Sequence, residues 1–114
     1  MISTVLVANR GEIACRILRA CQEADIKTVA VYAENDTGSL FTELATTAVK
    51  LSGNTIGETY LDQQQILDIA MQYDVDAIHP GFGFLSERAD FAKAVSRYYN
   101  NTGKWCFYCG IKYR

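Results

Sequence analysis

Residues 79–87, His79-Pro80-Gly81-Phe82-Gly83-Phe84-Leu85-Ser86-Glu87, concentrate the chemistry of this chain. Two glycines flank one aromatic residue and a second aromatic follows. Glycine adopts backbone shapes closed to other residues. Such a loop could bring N–H groups and aromatic faces against a flat ligand. It could equally be a tight strand-to-helix connection with both rings in the core. Residue types alone leave the two open. His79 is the single histidine, and beside a strand end it reads as structural rather than catalytic.

The stretch Val7-Ala8-Asn9-Arg10-Gly11-Glu12 is a second candidate. It ends an apolar run and opens a helical one, where free N–H groups could attract an anion. It matches neither Gly-x-Gly-x-x-Gly nor a Walker loop, so a structural turn is preferred. A third pattern is the polar stripe Glu12, Arg16, Arg19 and Glu23. Spacings of four, three and four put these residues on one helix face. Acid, base, base, acid reads the same in both directions. Two antiparallel copies whose twofold axis falls between Arg19 and Glu23 would set Arg against Glu. The plainer reading is a solvated face with ion pairs of at most ~0.5 kcal/mol each.

These residues need a scaffold, and the chain alternates strand and helix. Apolar, β-branched runs at 3–8, 27–33, 49–51 and 76–79 read as strands, with a further one near 105–109. Helical spacing marks 12–24, 62–73 and 87–99, plus a short stretch near 40–47. Asp62 can cap the second long helix, with Gln65 three residues on and Ile66, Leu67 and Ala70 inward. Ser86 is expected to cap the last helix, which carries Phe91, Ala92 and Val95 on one side. Short apolar strands alternating with helices predict an α/β fold. It is a Rossmann-like, three-layer domain with a mostly parallel sheet.

Length and composition fit one globular domain. There are 114 residues, 49% of them hydrophobic and 21% charged. A net charge of −2 gives no footprint for nucleic acid or an anionic membrane. No apolar run approaches the ~18 residues of a membrane span, and the start lacks a basic n-region. A cytoplasmic protein is expected. Of the four cysteines, Cys15 and Cys21 fall in one helical pattern. Cys106 and Cys109 form a lone Cys-x-x-Cys without the second pair a zinc site needs. Reduced thiols are expected.

Two long motifs carry a resemblance. Val7-Ala8-Asn9-Arg10-Gly11-Glu12-Ile13-Ala14 and Ala77-Ile78-His79-Pro80-Gly81-Phe82-Gly83-Phe84-Leu85-Ser86-Glu87 stand in order, with Ile26-Lys27-Thr28-Val29-Ala30-Val31-Tyr32 and Tyr60-Leu61 between them. Together they resemble the opening of biotin carboxylases, over residues 1–95. The resemblance implies a Rossmann-like domain that precedes an ATP-grasp region. The complete enzyme of that family, a ligase, uses ATP, Mg2+ and bicarbonate to carboxylate biotin on a biotin carboxyl carrier protein. A carboxyltransferase then takes the carboxyl group on. The resemblance further implies that Phe82, Gly83, Phe84 and Glu87 line the biotin pocket. It also implies that Arg16, Arg19 and Glu23 lie at a homodimer interface. It assigns no catalytic residue and no metal ligand to this stretch.

The chain departs from the family in places. Phe82 stands where Tyr is usual, Arg88 where Asn is usual, and Ala45-Thr46-Thr47 where Ala-Asp-Glu is common. Residues 96–114 form a divergent tail. Codons for Trp105-Cys106-Phe107-Tyr108, shifted by one base, can encode Gly, Val, Phe and Ile, which fits a frameshifted or disordered end. The ATP-grasp region is missing from these residues, so the fragment alone is expected to be inactive and to hold no cofactor. The alternative is a standalone binding or regulatory module that docks onto a full-length carboxylase.

Overall fold

The computed structural model describes residues 2–102 and 106–107. Five strands form one sheet: β1 (Thr4–Val7), β2 (Lys27–Tyr32), β3 (Thr47–Lys50), β4 (Ala77–His79) and β5 (Cys106–Phe107). Their spatial order is β3-β2-β1-β4-β5, and every pairing is parallel. The helices are α1 (Gly11–Glu23), α2 (Leu40–Leu44), α3 (Gln63–Gln72) and α4 (Ala89–Thr102). Short 3-10 turns lie at Glu34–Asp36 and Phe84–Glu87.

Alternation along β1 divides the core in two. Val5 and Val7 join Ala14, Cys15, Leu18 and Cys21 of α1 and Phe41 of α2. Leu6 points the other way, toward Ile66, Ile69 and Ala70 of α3 and Phe91 and Val95 of α4. Helices therefore cover both faces, giving the expected three layers. Burial on both faces is why β1 and β2 read as unbroken apolar runs. Cys15 and Cys21 are free, buried thiols on the inner side of α1.

The chain uses one device twice to return from helix to sheet. Asp25 after α1 and Asp74 after α3 hold positive φ, 61° and 52°. Ile26 N–H then donates to Cys21 O at 2.8 Å, and Val75 N–H to Ala70 O at 3.2 Å. Glycine usually fills such helix ends, and aspartate is among the few other residues that tolerate them. At the opposite edge of the sheet from the motif loops, the Asp76 carboxylate accepts from Ser3 N at 2.8 Å, Ser3 Oγ at 2.9 Å and Thr4 N at 3.0 Å. It joins the starts of β1 and β4.

Several elements differ from the sequence expectation. The third strand, expected at 49–51, begins at Thr47. Thr28 and Thr46 exchange two backbone-to-hydroxyl bonds of 3.0 Å that seat its start. Polar threonines carry no apolar signal, so periodicity placed the strand late. The helix near 40–47 ends at Leu44. Ile69, not Leu67, completes the buried face of α3, and Leu67 is half-buried. Ser86 caps no helix. It lies in a 3-10 turn with its hydroxyl donating to Gly83 O at 2.6 Å, and α4 starts only at Ala89. The Asp62 cap is present, with its carboxylate accepting from Gln65 N at 3.2 Å.

Replacing that carboxylate leaves an amide of α3 without its acceptor. Asp62→Ala should lower stability by about 1 kcal/mol. Urea titration should show a lower midpoint at unchanged slope, and an unchanged midpoint would contradict the capping role.

Candidate functional site

Strand order places the site. β1 is central, with β2 on one side and β4 on the other. The chain leaves β1 toward α1 on one face and leaves β4 toward α4 on the opposite face. Diverging connections open a crevice at the carboxyl ends of the two strands, where ligands of such sheets bind. The two sequence motifs end β1 and β4, so both open into this crevice.

Asn9 joins them. It is 2% exposed, yet it is an amide among apolar neighbours, so its polar atoms need partners. Asn9 Nδ2 donates to Pro80 O at 2.7 Å and to Phe82 O at 2.8 Å. Asn9 Oδ1 accepts from Arg10 N at 2.8 Å. That bond occupies one of the amides an anion at the start of α1 would need. Gly81 has φ +71°, and a Cβ there would stand 2.7 Å from Asn9 Nδ2 and 3.0 Å from Ile13 Cγ2. Gly83 is constrained differently. Its φ of 72° and ψ of −162° lie in a region essentially reserved for glycine. A Cβ at Gly83 would meet no atom within 4 Å, so a larger side chain there would project into open space.

The loop turns its residues in opposite senses. Phe82 is 61% exposed. Phe84 is half-buried, holds a positive φ of 47°, and packs on Tyr60 with ring centroids 5.5 Å apart. Leu85 and Ser86 are fully buried and Glu87 is exposed. One ring thus faces outward and the other packs toward the core. His79 serves the loop as a fastener, its Nδ1 accepting from Gly81 N at 3.1 Å. Burial holds its imidazole below the ordinary pKa, which favours the neutral form that bond requires.

Beside this loop lies a network that sequence reading missed. Arg10 binds Asp36 through two bonds, Nε to Oδ2 at 2.7 Å and Nη2 to Oδ1 at 2.6 Å. The Tyr60 hydroxyl donates to Asp36 Oδ2 at 2.5 Å and accepts from Ala33 N at 2.9 Å. Asp36 is 5% exposed. The Arg10 bonds, and after them the Tyr60 hydroxyl, hold its carboxyl below the usual range despite burial. Burial, then the bond to Asp36, pushes the Tyr60 phenol up. Arg10 and Tyr60 also line a cavity of about 250 Å³ with Ala33, Asn54 and Ile56. Asp36 and Tyr60 lie 26 and 50 positions from Arg10 in the sequence, in segments without periodicity, so no spacing rule joins them.

On α1 the stripe is as drawn from the sequence. Glu12, Arg16, Arg19 and Glu23 are all exposed, on the face away from the sheet. Among the described residues no group of three His, Cys, Asp or Glu could hold a metal ion. Cys109, the second half of the Cys-x-x-Cys pair, lies outside the described residues, as do 103–105 and most of the expected last strand. Among the described residues no helix is long and apolar enough to cross a membrane.

A parallel α/β domain whose carboxyl-edge loops are tied around an exposed aromatic ring is the class these features define. Comparison with known proteins then gives the family. Residues 1–102 match the family model for the biotin carboxylase N-terminal domain, and the chain belongs to that family. It is 54% identical over 94 residues to the biotin-dependent acyl-coenzyme A carboxylase alpha3 subunit of Mycobacterium leprae, covering 82% of this chain and 16% of that protein. It is 51% identical over 94 residues to human mitochondrial pyruvate carboxylase, covering 82% of this chain and 8% of that protein. The biotin carboxylase domain dimer of Hydrogenobacter thermophilus 2-oxoglutarate carboxylase, solved with MgADP, ADP and bicarbonate, superposes with a TM-score of 0.85 at 41% identity. That match covers 94% of this chain and 22% of the other. The chain thus spans less than a quarter of each of these relatives.

The Asp36 carboxyl gives a pH test. Its folded pKa lies below the ordinary unfolded value of ~3.9. In the window between the two, the unfolded chain binds more protons, so stability rises with pH there. The contribution is complete above the unfolded value and is lost as pH falls through the folded one. Asp36→Asn should therefore be less stable than the parent at neutral pH. The gap should narrow as pH drops from ~5 toward ~2.5. Urea unfolding across that range checks this, and a gap independent of pH would contradict it.

Proposed function

We propose that residues 1–95 are the N-terminal domain of a biotin carboxylase. In the complete enzyme, ATP and bicarbonate give carboxyphosphate, and a ureido nitrogen of carrier-held biotin is carboxylated. The observation that carries this reading is the loop of residues 80–87, fixed at the carboxyl edge with Phe82 outward, in a chain whose family match runs from residue 1 to 102. We assign the domain to residues 1–95, with 96–114 as a divergent tail, while the family match and α4 both continue to residue 102. The cytoplasm is the location we propose for it.

In this role the domain supplies one wall of the biotin pocket. Phe82 offers its ring face to the bicyclic ring, a contact worth ~1 kcal/mol. It lacks the hydroxyl of the Tyr usual in the family, and such a bond contributes ~0.5–1.5 kcal/mol net. Gly83 keeps the approach clear, Phe84 braces the loop from beneath, and Glu87 stands exposed at its end. The groups that hold ATP, Mg2+ and bicarbonate belong to the ATP-grasp region, so the 114-residue chain alone is expected to show no turnover. The biotin carboxylase domain of Hydrogenobacter thermophilus 2-oxoglutarate carboxylase is a dimer. Arg16, Arg19 and Glu23 on the exposed face of α1 are the surface we assign to a homodimer here. The carrier protein and carboxyltransferase are the further partners of the complete enzyme.

A chimera tests the function. Residues 1–95 replace the matching segment of a full-length biotin carboxylase, and ADP release is followed with bicarbonate, with and without free biotin. Biotin-stimulated, bicarbonate-dependent turnover is expected. A folded, soluble chimera without it would overturn the proposal. Within the chimera, Gly83→Val should raise the KM for biotin by roughly tenfold or more, the effect of ~1–3 kcal/mol of strain and blockage. Bicarbonate-dependent ATP cleavage without biotin should fall far less. Equal loss of both would make the loop a folding element only.

The same chimera tests the dimer surface. Arg19→Glu should weaken self-association by setting like charges against Glu23 of the partner copy, and adding Glu23→Arg should restore it. Sedimentation that shows no change in either variant would remove α1 from the interface.

A further inference from the structure

We infer that Asn9 is a positioning residue for biotin use: its buried carboxamide holds the loop of residues 80–83 in the shape that presents Phe82 and the open side of Gly83. The inference rests on the function proposed above and adds a residue that touches no substrate.

The geometry is specific to an amide. One Nδ2 group donates to two carbonyls, Pro80 O and Phe82 O, on either side of Gly81. Two carbonyls two residues apart can converge on one donor only if the chain between them folds sharply. Gly81 makes that fold with φ +71°, and Asn9 Nδ2 occupies the space where its Cβ would be. The other end of the amide is committed as well, because Oδ1 accepts from Arg10 N. A flipped amide would set an oxygen against two carbonyl oxygens and an NH2 against an N–H. The bond to Arg10 N therefore selects the one orientation that serves the loop.

The clamp also has a counterpart on the far side of Phe82. Phe84 packs on Tyr60, and the Tyr60 hydroxyl is held by Asp36, which Arg10 grips with two bonds. Asn9 and Arg10 are adjacent in sequence, so the end of β1 fixes both flanks of the loop. Phe82 is left between them as its exposed ring. An aromatic side chain held this way meets a ligand without first being ordered, which is the gain of preorganisation.

Asn9→Asp tests the inference, since it keeps shape and the acceptor for Arg10 N while replacing two N–H donors with a carboxyl that offers at most one O–H. Gly81→Ala perturbs the same contact from the other side, should Asn9→Asp fail to fold. Two readouts decide. In the 114-residue chain, amide hydrogen exchange at 81–87 should quicken about tenfold, the scale of one lost hydrogen bond, while the amides of Leu6 and Val29 keep their protection. In the chimera, the KM for biotin should rise about tenfold with the KM for ATP unchanged. A merely structural role would lower the active fraction, and so kcat, without moving the KM for biotin alone. Unchanged exchange at 81–87, or an unchanged KM for biotin in a chimera that uses biotin, would overturn the inference. A parent chimera that folds but never responds to biotin would instead sink the proposed function, and the exchange measurement would still decide the clamp.

Discussion

A buried amide cannot be left without partners, and at Asn9 that constraint shapes the whole carboxyl edge of the sheet. An unmatched polar group in the interior costs ~1–3 kcal/mol. Here the amide meets the requirement by reaching across to the loop that leaves β4, 71 and 73 positions away. The bond set works only because β1 and β4 are neighbours in register, with Val7 opposite His79 and Ala8 N donating to His79 O at 2.9 Å. Sheet topology supplies the proximity. The amide converts proximity into a fixed loop.

The rest of the molecule keeps that junction rigid. Apolar layers on both faces hold β1 in the middle of the sheet. Asp76 ties the amino ends of β1 and β4 together, as Asn9 ties their carboxyl ends. The Arg10–Asp36–Tyr60 network then braces the segments flanking the crevice. Its members are stabilised in their charged or neutral forms by one another: Arg10 and Asp36 as an ion pair, Tyr60 as a neutral phenol that both donates and accepts. The half-exposed guanidinium keeps this pair from being wholly desolvated, which limits the penalty that buried ion pairs carry.

Much of this was legible in the sequence, and the failures have physical causes. The α/β class, the strands around β1, β2 and β4 and the three long helices follow from apolar runs and helical spacing, because two-sided burial writes itself into residue type. The Asp62 cap was legible for the same local reason. β3 was placed late because its start is seated by the Thr28–Thr46 hydrogen bonds and opens on half-buried Thr47, which carries no apolar signal. Ser86 was misread because a capping residue type appeared at the right place, while Gly83 O took its hydroxyl first. The aspartates at 25 and 74 end helices where glycine is the usual signal. At the site, the motif loops were found but their joint was not. Asn9, Asp36 and Tyr60 act through contacts between distant segments, and neither composition nor spacing encodes such contacts. Only a three-dimensional arrangement shows that Phe82 faces out while Phe84 faces in.

The central claim is that one side-chain amide bonds to two backbone carbonyls of the loop. Nuclear magnetic resonance of the isotope-labelled chain reads this directly, through scalar couplings transmitted across hydrogen bonds. The account predicts slowly exchanging Asn9 Nδ2 protons, each coupled to a different carbonyl carbon, one of Pro80 and one of Phe82. Side-chain amide protons of Asn9 that exchange rapidly with water and show neither coupling would contradict it.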